Sequence, residues 1–99
     1  MPLFCYVGYD GPTGLARRPA VRPQHLAHMQ PLAEAGRIRY AGPLLDEQGD
    51  PRGSLIVLEA ADYHEARRIA ETDPYLEQGV FERVDVYQTR QVLPDPSED

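Results

Sequence analysis

Two residues that do proton chemistry fall where side chains normally face a protein core. On a helical wheel at roughly 100° per residue, Leu26, Met29, Leu32 and Ala33 form one stripe, and His25 falls inside it. Arg22 points the same way if the helical turn begins that early, whereas His28 lies well off to the side. A second helix carries Ala66, Ile69 and Ala70 on its core stripe, and Asp73 continues that register at i+7 from Ala66. A carboxylate aimed at a core needs a hydrogen-bonded or charged partner to stay ionised. If the inward histidine of one helix meets the inward aspartate of the other, Asp73 orients the imidazole and stabilises its charged form. The second ring nitrogen is then left for proton transfer. The same spacing also fits a buried structural pair, or an aspartate that caps the turn made by Pro74.

Arginines supply the opposite charge. Arg17, Arg18 and Arg22 cluster just before the expected start of the first helix, where free backbone N–H groups and guanidinium groups together make an anion site. Arg22 is the best placed of the three to face a cleft, and Arg17 and Arg18 read as a solvated loop. Tyr75 follows Asp73-Pro74 and belongs at the same end of the cleft. The other tyrosines read as core or interface residues with the hydroxyl at an edge. No metal site is expected: His25 and His28 diverge on the wheel, and no carboxylate lies four residues from His25 to help converge on an ion. Cys5, inside an apolar segment, reads as inert rather than nucleophilic. The chain has no lysine, which excludes Schiff-base chemistry on a lysine side chain.

The elements that must position these groups follow from apolar runs and their breakers. Leu3 to Tyr9 is a short apolar and aromatic run stopped by Asp10-Gly11-Pro12, hence a strand. Residues 10 to 20, rich in Gly, Pro and Arg, read as a loop. A helix is predicted from near Pro23 to Gly36, with Pro31 bending it or loosening a turn. Strands follow at Ile38 to Leu44 and Gly53 to Ala60, joined as a hairpin by Asp46-Glu47-Gln48-Gly49-Asp50-Pro51. Asp62 with Glu65 makes a capping-box-like start to a second helix that ends near Thr72, before Asp73-Pro74. A connector, Tyr75 to Phe81, leads to a last strand from Glu82 to Arg90, and the tail from Pro94 to Asp99 is expected to be disordered. The order β-α-β-β-α-β is the split βαβ pattern of ferredoxin-like α+β folds, a four-stranded antiparallel sheet with both helices on one face. Leu3-Phe4-Cys5-Tyr6-Val7 and Leu55-Ile56-Val57-Leu58 are apolar at consecutive positions, so both faces of those strands want burial. A homodimer packing sheet on sheet answers that need.

At 99 residues the chain has room for one core, residues 1–93, and its 41% hydrophobic and 26% charged residues are those of an ordinary globular protein. A net charge of −6 excludes nucleic acid as the main partner. The absence of a long apolar run or of a signal-peptide pattern points to a cytoplasmic protein with no membrane association.

Several short motifs occur together in order: Arg22-Pro23-x-His25-Leu26, Gly36-Arg37, Ala41-Gly42-Pro43, Gly53-Ser54, and Asp73-Pro74-Tyr75 followed by Gly79-Val80. Through them the chain, from about residue 3 to 90, resembles the YCII-related family. That resemblance implies a ferredoxin-like subunit of the dimeric α/β barrel superfamily, with an active site at His25 and Asp73 and Ser54 nearby. Some relatives eliminate HCl from a small lactone, and the wider superfamily includes muconolactone isomerases. The expected function is therefore a cofactor-independent isomerase or lyase acting on a small organic acid or lactone. His25 is its acid or base, Asp73 the orienting partner, and Arg22, Ser54 and Tyr75 bind the anionic substrate. The alternative is a non-catalytic ligand-binding or regulatory dimer using the same pocket.

Overall fold

The computed structural model describes residues 1–96; positions 97–99 of the expected tail lie outside the described residues. The chain folds in the order β1 (Leu3–Asp10), α1 (Gly14–Glu34), β2 (Ile38–Leu45), β3 (Pro51–Glu59), α2 (Tyr63–Glu71), α3 (Pro74–Glu77) and β4 (Phe81–Thr89). The four strands form one antiparallel sheet in the order β2-β3-β1-β4, with the ferredoxin-like connectivity expected from the sequence. No helix among the described residues is long and apolar enough to cross a membrane.

The sheet separates its residues by the two-residue period of a strand. Phe4, Tyr6, Ile56, Leu58, Val84 and Val86 are buried on the face that carries the helices. The other face carries a row that register alone defines: Tyr40 opposite Val57, Val57 opposite Cys5, and Cys5 opposite Tyr87. The next row brings Leu55 opposite Val7. Among the described residues no helix covers these side chains, and Tyr40 and Tyr87 are more than half exposed.

Helix α1 corrects the sequence reading at its start. It begins at Gly14, not near Pro23, and absorbs the segment expected to be a loop. Pro19, Pro23 and Pro31 all lie inside it, so the carbonyls of Leu15, Pro19 and Ala27 lose the N–H four residues on that a regular helix would give them. Propensity opposes this stretch, and packing overrides it. One line of residues is buried along the helix: Gly14, Arg18, Val21, His25 and Met29. Gly14 is pressed so tightly that a Cβ would stand 2.6 Å from the carbonyl oxygen of Val80 and 2.7 Å from Cβ of Asp10. The helix stops where Gly36 takes a positive φ of 72° and the N–H of Arg37 reaches back to the carbonyl of Leu32 at 2.9 Å.

Helix α2 starts at the expected cap: the carboxylate of Asp62 accepts the N–H of Glu65 at 2.8 Å, and Glu65 Oε1 accepts the N–H of Ala61 at 2.8 Å. The segment read as a plain connector contains the one-turn helix α3, capped by Asp73 with Pro74 in its first turn. Gly79 then reverses the chain with a φ of 78° and returns it to β4.

Candidate active site

The inward histidine and the inward aspartate meet. His25 Nδ1 lies 2.8 Å from Asp73 Oδ1 and 3.1 Å from Oδ2. Asp73 is fully buried, and His25 retains only 8% of its exposure. The carboxylate also accepts the Tyr6 hydroxyl at Oδ2, 2.7 Å, and the N–H of Tyr75 at Oδ1, 2.9 Å. Asp73 thus caps α3 and holds His25 at once; the two readings open at the sequence level are both correct as geometry. With donors converging on it, the carboxylate accepts from the imidazole, so Nδ1 carries the hydrogen in neutral His25 and Nε2 is the bare nitrogen. Among the described residues Nε2 has no hydrogen-bond partner, yet no buried polar side-chain atom is left unpartnered. Nε2 is therefore open to the cleft that His25 lines.

The ring is fixed from its face as well. Tyr75 stacks on His25 with centroids 4.0 Å apart and planes 9° apart, and Phe81 meets Tyr75 edge-on at 5.4 Å. Phe81 can sit there because Gly8 has no side chain: a Cβ on Gly8 would be 2.3 Å from the Phe81 ring. Burial raises the Tyr75 phenol above its ordinary value and raises that of Tyr6 well above it, helped by the neighbouring Asp73 charge. Both phenols stay protonated at neutral pH, Tyr6 as a donor to Asp73.

The cleft, about 550 Å³, opens between α1 and the β2–β3 half of the sheet. Helices α2 and α3 pack over β1 and β4, and β2 is left largely exposed on the helix side. Its walls are Met29, Ile38, Pro43 and Ile56, with Leu26 at the rim. Leu26, placed on the core stripe by its wheel position, is 44% exposed and serves the cleft rather than the core. Arg22 lines the cleft from an exposed position, and buried Ser54 reaches it from β3. Thus His25, Asp73, Arg22, Ser54 and Tyr75 are brought to one place. His28 is not: its Nε2 bonds the carbonyl of Ile69 at 2.9 Å, tying α1 to α2. Cys5 lies on the opposite sheet face, with its thiol pushed up by burial. No group of three His, Cys, Asp or Glu side chains among the described residues is arranged to hold a metal ion.

The arginines are where the sequence reading fails. Because α1 starts at Gly14, the expected anion site at a helix N-terminus before Pro23 does not exist; those N–H groups are inside the helix. Arg17 does stay exposed, bonded to Thr13 and to the carbonyl of Gln78. Arg18 does not: only 8% exposed, it forms a two-pronged ion pair with Asp10, Nε to Oδ2 at 2.8 Å and Nη2 to Oδ1 at 2.9 Å. Nη2 also donates to the carbonyl of Gly53 at 2.7 Å and to Ser54 Oγ at 3.2 Å. Extending the His25 stripe backwards by one and two turns gives Val21 and Arg18. That signal was in the sequence, masked by the prolines.

A ferredoxin-like domain with a buried His–Asp pair opening on a cleft with apolar walls and an arginine edge is the class this fold and site define. The YCII-related domain matches residues 2–90, and the chain belongs to that family. The YciI protein of Escherichia coli is 34% identical over 97 residues, covering 92% of this chain and 99% of the relative. Among solved structures, the 5-chloro-2-hydroxyhydroquinone dehydrochlorinase TftG of Burkholderia phenoliruptrix, in complex with 2,5-dihydroxybenzoquinone, superposes with a TM-score of 0.78 at 29% identity. The alignment covers 90% of this chain and 94% of that one. SnoaB, a cofactor-independent oxygenase from Streptomyces nogalater, shares the fold at a TM-score of 0.58 and 16% identity, over 96% of this chain and all of its own.

Proposed function

We propose that this protein is a small acid–base enzyme, an isomerase or lyase of the dehydrochlorinase type, acting without a cofactor on a small anionic organic acid or lactone. One observation carries the reading: His25 is held at Nδ1 by a buried carboxylate while Nε2 stays unbonded at the cleft. In an elimination, Nε2 takes a proton from the substrate. The electron pair left behind forms the new double bond, and the carbon–chlorine bond breaks with its pair on chloride. In an isomerisation the same imidazolium returns the proton at a different carbon. In both, the negative charge of Asp73 balances the imidazolium as it forms, and Arg22 with Ser54 holds the anionic group. Tyr75 keeps the ring in plane. The dehydrochlorinase among the structural relatives supports the elimination arm.

The unit we propose is a homodimer through the open sheet face. The row Tyr40, Val57, Cys5 and Tyr87, with Leu55 and Val7 beside it and Asp85 at its edge, is a largely apolar surface that no described element of the chain covers.

The test is turnover of small lactones and chlorinated hydroxyhydroquinones, followed by absorbance and chloride release, for wild type and His25→Gln. The expected result is wild-type turnover and a loss of ~10²–10⁴-fold in the variant, with its fold and ligand binding retained. No turnover by wild type, together with a His25→Gln variant that only binds more weakly, makes the protein a binding dimer instead.

A further inference from the structure

Tyr6 carries a buried hydroxyl that packing does not explain. The residue sits in the middle of β1, opposite Ile56 on one neighbouring strand and Val86 on the other, and it is fully buried. A phenylalanine would fill that place with no polar group to satisfy. Asp73 does not need the hydroxyl to find a partner either, since Oδ1 already accepts from His25 Nδ1 and from the N–H of Tyr75. Yet the Tyr6 hydroxyl lies 2.7 Å from Asp73 Oδ2, the length of a charge-assisted bond. Its other neighbour, Met29 Sδ at 3.4 Å, is a weak acceptor and does not compete. Burial, then the Asp73 charge, keeps the phenol protonated well beyond its ordinary range, so it remains a donor wherever the site works.

Few charged or titratable groups surround His25. Asp73 and Tyr75 face it from the start of α3, and Tyr6 reaches Asp73 from β1. From α1 itself come Arg18, paired with Asp10 beyond the Tyr75 ring, and Arg22 at the cleft. Strand β3 supplies Ser54, β4 supplies Phe81, and α2 turns Ala66 and Ala70 to the core, none of them charged. The negative charge in contact with the imidazole is thus that of Asp73, and Tyr6 and His25 draw on it together. Two donors on one carboxylate compete. As the imidazole takes up a proton and pulls harder, the bond to the phenol weakens, so the phenol bonds best while the imidazole is neutral. We propose that Tyr6 is a positioning residue of this site: by holding Oδ2 it fixes the Asp73 carboxylate and restrains how firmly that carboxylate keeps a proton on His25. This rests on the reading of His25 as the base and says what the hydroxyl does for it. The imidazole gives up its proton more readily and is free to take the next one from substrate.

The test follows the His25 imidazole by ¹H–¹⁵N correlation spectra through a pH titration of wild type and Tyr6→Phe. His25→Gln marks which of the three histidine signals is meant. In Tyr6→Phe the midpoint of that signal rises by roughly half to one pH unit, a ~3- to 10-fold tighter hold on the proton. Removing the same hydroxyl from Asp73→Asn moves the midpoint by less than half as much, since no charge is left to share. Tyr6→3-fluorotyrosine, whose phenol is the stronger donor, keeps the bond and lowers the midpoint, an opposite sign that a loss of packing does not produce. That arm also decides the matter if Tyr6→Phe fails to fold. An unmoved or lowered midpoint in folded Tyr6→Phe, or a fluorotyrosine midpoint that does not fall, overturns the inference. The acid limb of kcat/KM against pH separates the two claims, because it moves with the midpoint where His25 is the base. If the midpoint moves but the limb does not, or there is no turnover, Tyr6 still positions Asp73 and His25 is not the base.

Discussion

Replacing Asp73 by asparagine changes one atom at the centre of the site, and its consequences can be worked through bond by bond. Oδ1 accepts from His25 Nδ1 and from the N–H of Tyr75, at 2.8 and 2.9 Å, and Oδ2 accepts the Tyr6 hydroxyl at 2.7 Å. An amide nitrogen at the Oδ1 position would face two fixed donors, His25 Nδ1 and the N–H of Tyr75. At Oδ2 it faces only the longer approach of Nδ1 at 3.1 Å, so the carboxamide oxygen takes the Oδ1 place and the NH₂ turns to Tyr6. The Tyr6 hydroxyl can rotate to accept from it, sending its own proton towards Met29 Sδ, 3.4 Å away. Every polar atom keeps a partner, and the tautomer of His25 is preserved. The negative charge is what disappears. Hydrogen bonds to a charged group contribute about 1.5–3 kcal/mol each against about 1 for neutral ones, so weakening these bonds should cost about 1–3 kcal/mol in all. For a domain of this size about 2 kcal/mol lowers the melting temperature by roughly 8–16 °C. The imidazolium loses its counter-charge too, so kcat should fall at least ~10-fold, equivalent to about 1.4 kcal/mol of transition-state stabilisation. Thermal melts by circular dichroism and steady-state turnover read the two effects separately. A variant that melts lower yet turns over at the wild-type rate would refute the role of Asp73 in catalysis and leave it a structural cap. An unchanged melting temperature would refute the charged network itself.

Further outcomes follow from the surrounding contacts. Gly8→Ala drives a Cβ into the Phe81 ring, 2.3 Å away where it stands, and should destabilise by about 1–3 kcal/mol on urea unfolding, because that ring is braced by Tyr75. The Tyr6 phenol sits well above its ordinary value in the fold, through burial and then the Asp73 charge. Its contribution to stability is thus complete below pH about 10 and is lost as pH rises through the raised value, since the unfolded chain releases that proton first. Urea midpoints should therefore fall above that pH, and less steeply in Tyr6→Phe, with Tyr75 supplying the remainder. Val57→Arg puts a charge in the middle of the open sheet face and should convert a sedimenting dimer to a monomer. Sedimentation of wild type as a monomer at micromolar concentration would remove the dimer.

Much of this was legible in the sequence because strands and caps write themselves locally. The run Leu3 to Tyr9, the breaker Asp10-Gly11-Pro12, and the Asp62–Glu65 cap each mark an element that forms within a residue or two of its expected position. His25 and Asp73 were visible because a polar residue on an apolar stripe contradicts its surroundings. Arg18 was not, because its helix is held against its own propensity. Pro19 and Pro23 weaken the first turns, and contacts from outside the helix, Gly14 against Val80 and Arg18 against Asp10 and Gly53, help hold them. The role of Tyr6 was hidden for a related reason: a tyrosine in a buried strand shows nothing of where its hydroxyl ends. Leu26 misled in the opposite sense, since a cleft beside the core makes apolar side chains look like core residues.

The claim on which the rest depends is that His25 is pinned at Nδ1 and open at Nε2. Long-range ¹H–¹⁵N correlation spectra of the imidazole, taken where the ring is neutral and repeated with 2,5-dihydroxybenzoquinone, read both nitrogens directly. The expected spectra show a protonated Nδ1 and a bare Nε2, with the ligand shifting the Nε2 resonance and leaving Nδ1 in place. A neutral ring protonated at Nε2, or a ligand that moves neither nitrogen, would contradict it.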